Sequence, residues 1–177
     1  MILTAQEEFG LRCALTVARA GDDADGVPVS VTLNQIAESE GLTPAYAGKI
    51  MRLLVQAGVV ESTRGRSGGY RLARAAATIT AAEVVHALGG KIYDGEICSR
   101  SASGDGLCVH NNDCAVRSLW SGLQTMVDVF MARITLRDLV VDEATMDRTV
   151  KSVRESLESP VDHREPVTTP DAREGVR

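Results

Sequence analysis

The chain has 177 residues, 44% of them hydrophobic, so it can bury a core; with only 3% aromatics, that core must be built from Leu, Val, Ile, Ala and Met. A formal net charge of −5 argues against nucleic acid as a partner for the chain as a whole, although a local patch of opposite sign can hide in such a count. No stretch approaches the roughly 18–20 unbroken apolar residues of a membrane span, and the opening "MILTAQEEFG" has acids where a secretory signal carries Lys or Arg, so a cytoplasmic protein is expected.

From Thr4 to about Ala20, Phe9, Cys13, Val17 and Ala20 recur at helical spacing, and "GDDADGVP" then breaks the pattern. "TLNQIAESEG" pairs Thr32 with Gln35 in a capping box and closes on Gly41. "LTPAYAGKIMRLLVQAG" follows at once: Thr43 is the expected N-cap, Pro44 the first helical residue, and Tyr46, Ile50, Leu53, Leu54 and Ala57 repeat until Gly58. Two short helices joined by a tight glycine turn form a helix-turn-helix pattern. In "VVESTRGRSGGYRLAR" two β-like runs flank a glycine-rich turn, which predicts a β-hairpin with a basic tip, a wing.

"TITAAEVVHALGG" predicts a further capped helix, with Thr80 and Glu83 at its start and Gly89-Gly90 at its end. A loop holding three of the four cysteines follows, "CSRSASGDGLCVHNNDC". From Ala115 to about Arg133 the spacing predicts a long helix whose Val116, Leu119, Leu123, Met126 and Phe130 form a heptad-like seam. Trp120, Val127 and Met131 add a second stripe; one stripe can serve the chain's own core, and the other asks for a second subunit. "VDEATMDRTVKSVRESLE" can form a polar helix, and the residues after Pro160 read as a disordered tail. The expected organisation is a mainly α fold with a small β-hairpin. Residues 1–78 form a winged helix-turn-helix domain, 79–140 a cysteine loop with a dimerisation helix, and 141–177 a polar C-terminal extension, partly disordered.

Residues Thr43 to Ala75 carry Lys49, Arg52, Arg64, Arg66, Arg71 and Arg74 against Glu61 alone, a local charge of about +5 in an acidic chain. Cations at a wing tip supply phosphate affinity without reading sequence. Base reading falls to the exposed start of the second helix, where Thr43, Ala45, Tyr46 and Lys49 are the candidates. Arg52, Arg64, Arg66 and Ser67 complete the expected DNA contacts. Nothing suggests an enzyme: no nucleophile–His–acid arrangement, P-loop or dinucleotide fingerprint appears, and His86, His110 and His163 are scattered.

"LTAQEEFGLRCAL", "IAESEGLTPAY", "LVQAGVVESTRGRSGGYRLAR" and "CAVRSLW" running on to "ITLRDLV" together resemble the Rrf-two family of bacterial winged-helix regulators, the IscR/NsrR/RirA-like proteins, over roughly Met1 to Val141. The resemblance implies a homodimer on a palindromic operator, acting mostly as a repressor. It also implies an iron–sulfur cluster held by three loop cysteines, here Cys98, Cys108 and Cys114, as a sensor of redox state, nitric oxide or cluster and iron status. Thiolates suit iron–sulfur clusters and zinc, and three of them leave one coordination position to fill. Some family members fill it with a His three residues after the last Cys, but that position is Arg117 here. Others use a first-helix carboxylate from the partner subunit, which corresponds to Glu8 and is the preferred fourth ligand. His110, Asp113 and Cys13 remain alternatives, and [4Fe-4S] is preferred to [2Fe-2S]. A zinc-stabilised or thiol–disulfide-switched DNA-binding regulator without a cluster is the alternative function.

Overall fold

The computed structural model describes residues 4–21, 29–63, 65, 68–93, 110 and 113–158. Helix α1 spans Ala5–Ala20, α2 Leu33–Glu40 and α3 Pro44–Gln56. Strands β1 (Val60–Thr63) and β2 (Gly69–Leu72) follow, then a short 3-10 turn at Ala76–Thr78 and α4 at Ala81–Ala87. Beyond the cysteine segment come the long α5 (Ala115–Met131), a single turn α6 (Leu136–Leu139) and α7 (Glu143–Glu158). Among the described residues the molecule is therefore mainly helical with one two-stranded sheet, as expected.

The helix starts follow from local chemistry. Thr4, Thr32, Thr80 and Thr135 each cap a helix through a reciprocal box with Glu7, Gln35, Glu83 and Asp138, an arrangement typically worth about 1 kcal/mol per cap. Thr43 caps α3, with Pro44 fixing its first turn. Between α2 and α3, Gly41 takes the left-handed conformation (φ 65°) that brings Leu42 N–H onto Ala37 O at 2.8 Å. A side chain there would be strained, so the tight turn depends on glycine.

One core holds these elements together. Cys13 and Val17 of α1, Ile36 of α2, Ile50, Met51 and Leu54 of α3, Val59 and Val60 at the hairpin root, and Val84 and Leu88 around α4 are buried in it. Each such aliphatic side chain contributes about 1.5–3 kcal/mol by leaving water. Leu136, from beyond the long helix, is fully buried in the same cluster. Its backbone N–H bonds to Ile79 O at 2.8 Å, and Ala81 N–H bonds to Ile134 O at 2.8 Å, so the chain returns to close the core it left.

The hairpin pairs Val60 with Leu72 and Thr63 with Gly69 in antiparallel register. Val31 extends it by an antiparallel bridge to Tyr70, exchanging hydrogen bonds of 2.9 and 2.8 Å. This approach is possible only because Gly69 lacks a side chain: a Cβ there would lie 2.6 Å from Val31 O.

Candidate nucleic-acid interface and thiol site

Helix α3 divides cleanly into two faces. Ala47, Ile50, Met51 and Leu54 point into the core, while Ala45, Lys49, Arg52 and Gln56 line the exposed side, with Thr43 exposed at the cap. Four of the five residues expected to face DNA from this helix thus share one accessible surface. The fifth, Tyr46, is half-buried and packs edge-to-face on Phe9 of α1, with ring centroids 6.3 Å apart at 84°. Its ring braces α3 against α1, which limits it to contacts made by its rim.

The basic surface is smaller than the segment's charge suggests. Arg71 pairs with Glu61 across the hairpin, and Arg74 reaches outside the basic segment to pair with Glu83 of α4 at 2.7 Å. Lys49 and Arg52 have no ion pair among the described residues and remain available to phosphate. Arg64, Arg66 and Ser67 of the wing tip lie outside the described residues.

Of the expected metal ligands, Cys98 and Cys108 lie outside the described residues, while Cys114 is placed. It is the half-buried N-cap of α5, and its Sγ accepts the backbone N–H of Arg117 at 3.4 Å. A helix start presents partial positive charge, an environment that suits an anionic sulfur ligand. His110 and Asp113 are exposed beside it, and the His110 carbonyl accepts a hydrogen bond from Arg117 Nη2 at 3.2 Å. Cys13 is fully buried in the core, where burial, reinforced by Glu40, pushes its thiol up to about 12. Its side chain packs in the core with Val17, Ile50 and Leu54.

Glu8 lies on α1, where its Oε1 accepts from Arg12 Nε at 2.7 Å. Both side chains are about half exposed, and such an i,i+4 pair holds the carboxylate by only about 0.2–0.5 kcal/mol. A metal could therefore draw it away at little cost. The Arg12 guanidinium also sits 6.0 Å from the Phe9 ring centroid, so Glu8, Arg12, Phe9 and Tyr46 form a continuous row from α1 to α3.

Helix α5 has no fully buried residue. Val127 and Met131, with Gln124 and Asp128 on the same side, line a cleft shared with α4 and the start of α1. Val116, Leu119, Trp120 and Met126 are exposed, Leu119 and Met126 by 67% and 70%. Val127 and Met131 of the second stripe thus face the chain's own body while Trp120 of that stripe does not, and in the seam Val116, Leu119 and Met126 are uncovered while Leu123 and Phe130 are half-buried.

Sequence reasoning missed the polar groups in that cleft. Asp128 Oδ1 accepts from Gln124 Nε2 at 2.7 Å and pairs with His86 Nε2 of α4 at 2.8 Å. Gln124 Oε1 in turn accepts the backbone N–H groups of Ile92 and Tyr93, at 2.6 and 3.0 Å. The available signal was the appearance of Gln124 and Asp128 beside Val127 and Met131 on the inward stripe, where polar groups need partners.

Comparison with known proteins agrees with this architecture. Residues 3–142 match the family model Rrf2, described as iron-dependent transcriptional regulator. The helix-turn-helix-type transcriptional regulator IscR of Escherichia coli O1:K1 is 29% identical over 147 residues, which cover 83% of this chain and 85% of that protein. The structure of CymR, the global cysteine regulator of B. subtilis, superposes with a TM-score of 0.58 at 26% identity, covering 80% of this chain and 99% of that one. IscR of T. potens shares the fold at a TM-score of 0.56 and 23% identity, covering 91% and 94%. With its helix-turn-helix, its wing and a family match over most of its length, the chain belongs to the Rrf2 family of transcriptional regulators.

Proposed function

We propose that this chain is an iron–sulfur-cluster-dependent repressor that binds a palindromic operator as a homodimer. One observation carries the reading: Cys114 and the uncovered apolar stripe of Val116, Leu119 and Met126 lie on the same rigid helix. A ligand at the tip of α5 and a subunit contact along it would move together. The family's description as iron-dependent and the likeness to IscR support the choice of iron.

Cys98, Cys108 and Cys114 would hold the cluster as thiolates, with Glu8 from across the dimer as the fourth ligand and [4Fe-4S] preferred to [2Fe-2S]. When bound, such a cluster supplies redox sensitivity and a reactive iron for nitric oxide or oxygen. The donor types suit such a cluster, since thiolates are soft ligands and, among the described residues, the Glu8 carboxylate pairs with an exposed arginine. A carboxylate grips iron less firmly than a thiolate does, which makes the Glu8 position the first to yield. Glu8 returning to Arg12 would alter the row that ends on Tyr46 and, with it, the angle between the two recognition helices. On DNA, Arg52, with Arg64, Arg66 and Ser67 of the wing, takes phosphate, and Thr43, Ala45 and the rim of Tyr46 face the bases; Lys49, read from the sequence as a base contact, has no ion pair among the described residues and can take phosphate as well.

A second reading, left open by the clustered cysteines, is a thiol switch without iron. Anaerobic purification with iron and sulfide analysis separates the two. The cluster reading expects a brown protein whose affinity for the DNA upstream of its own gene changes on exposure to nitric oxide or oxygen. In Glu8→Ala that response should weaken. A colourless, iron-free protein whose DNA release tracks a reversible loss of two hydrogens would replace the cluster with a disulfide.

A further inference from the structure

We infer that α7 belongs to the subunit interface, with Leu157 extending the uncovered face of α5 toward a second copy of this chain. The inference rests on the homodimer reading above. It adds an element outside the family match, which ends at residue 142, just before α7 begins.

The apolar stripe of α7 is longer than its cover. Met146, Val150, Val153 and Leu157 recur at helical spacing. The first three are half-buried, and α7 packs on α5 and α6 of its own chain. Leu157 continues the stripe but is exposed by 38%.

That overhanging end sits beside the uncovered face of α5. Leu119 and Met126 lie seven residues apart on this face, and Arg133, in the turn that closes the helix, is one further step of seven. Steps of seven return to nearly the same side of a helix, drifting by about 20° each. Arg133 Nη1 donates to Ser156 Oγ, whose own proton goes to the Val153 carbonyl at 2.7 Å. This bond sets the end of α7, and Leu157 with it, at the foot of the uncovered face. Val129, one turn before Arg133 and exposed by 40%, adds to the same surface.

The chemistry of the surface points to a second copy as its occupant. The chain is 24% charged, yet every exposed residue of α5 is uncharged. Its two charged residues, Arg117 and Asp128, are half-buried. Loss of charge marks the centre of a protein interface. A twofold axis beside such a face sets it against itself, apolar on apolar, with no charge meeting its like. The residues after Glu158 contain no Leu, Ile, Met or aromatic side chain to lay on it instead.

The test uses the full-length protein, purified anaerobically, as wild type, Leu119→Glu, Leu157→Glu and Lys151→Glu. Sedimentation equilibrium reads the dimer dissociation constant, and far-ultraviolet circular dichroism checks that each variant keeps its helices. Leu119→Glu should dissociate the dimer, and Leu157→Glu should weaken it about tenfold. Lys151→Glu, on the exposed side of α7, should stay within about twofold of wild type. A Leu157→Cys variant gives a readout independent of stability. N-ethylmaleimide labelling at that position, followed by peptide mass spectrometry, should slow about tenfold as protein concentration is raised through the dimer midpoint. Wild-type dimerisation in Leu157→Glu, equal weakening in Lys151→Glu, or labelling that ignores concentration would each overturn the inference. Dissociation by Leu119→Glu would then leave the homodimer reading standing. A wild-type protein that is monomeric at every concentration would overturn both.

Discussion

Gly10 of α1 lies so close to Leu88 that a Cβ on it would sit 2.0 Å from Leu88 Cδ1. Leu88 is itself only 4% exposed and packs in the common core, so its side chain would have to shift among packed neighbours. Gly10→Ala should destabilise the protein by about 1–3 kcal/mol through overpacking. Urea unfolding would read this as a lower midpoint at unchanged slope. An unchanged midpoint would mean that α1 and α4 can part freely.

The two described cysteines should differ sharply in reactivity. Cys13 is fully buried with its thiol pushed up to about 12, whereas Cys114 is half-buried at a helix start. In reduced, iron-free protein under native conditions, N-ethylmaleimide should label Cys114 within minutes and leave Cys13 unmodified until denaturant is added. Peptide mass spectrometry distinguishes them. Comparable native labelling at both would contradict the packing of α1.

Acid should reveal the Thr80–Glu83–Arg74 cluster. The Thr80 backbone N–H first, and the Arg74 guanidinium second, hold the Glu83 carboxyl below its ordinary value of 4.5. A carboxylate lowered in the folded state contributes its stability fully above the unfolded value, and that contribution drains away as pH falls through the folded one. Wild-type stability should therefore decline on acidification below 4.5, and Glu83→Gln, which keeps the cap but not the charge, should decline less. Thermal midpoints at neutral pH and at about pH 3 measure the difference. Equal declines would show that Glu83 titrates alike in both states.

Lys49 and Arg52 should act on DNA through charge. Alanine at either position should weaken binding to all sequences alike and lower the slope of log affinity against log salt by about one. Fluorescence anisotropy over a salt series, with the DNA upstream of the protein's own gene and an unrelated duplex, provides both numbers. Selective loss on the upstream DNA alone would instead make these residues base readers.

What was legible in the sequence was local. Thr43 and Pro44, Gly41, and the boxes at Thr32 and Thr80 act within four residues of themselves, so their helices could be placed without knowing the fold. The apolar pattern of α5 was legible for the same reason, and helical periodicity puts Val116, Leu119 and Met126 on an uncovered face, but Trp120 is exposed with them instead of facing inward with Val127 and Met131. Contacts made by chain closure were not legible. The Val31–Tyr70 bridge, the insertion of Leu136 beside Ile79 and the His86–Asp128 pair join residues roughly 40 to 60 positions apart, where no spacing rule applies. The basic segment was overcounted because Arg74 finds its acid in a later helix, and Tyr46 proved a brace because Phe9 of α1 packs against it. Cys98, Cys108, Arg64, Arg66 and Ser67 lie outside the described residues.

The return of Leu136 to the core gives α5 the mechanics of a lever. Its C-terminal end is pinned where Ile134 and Leu136 hydrogen-bond with Ala81 and Ile79, and that pin is the fulcrum. Seventeen residues at 1.5 Å each put Cys114 about 25 Å away at the opposite tip. A rotation of only about 5° at the pin would sweep that tip through roughly 2 Å, so small rearrangements near α4 and displacements at the sulfur are geared to one another.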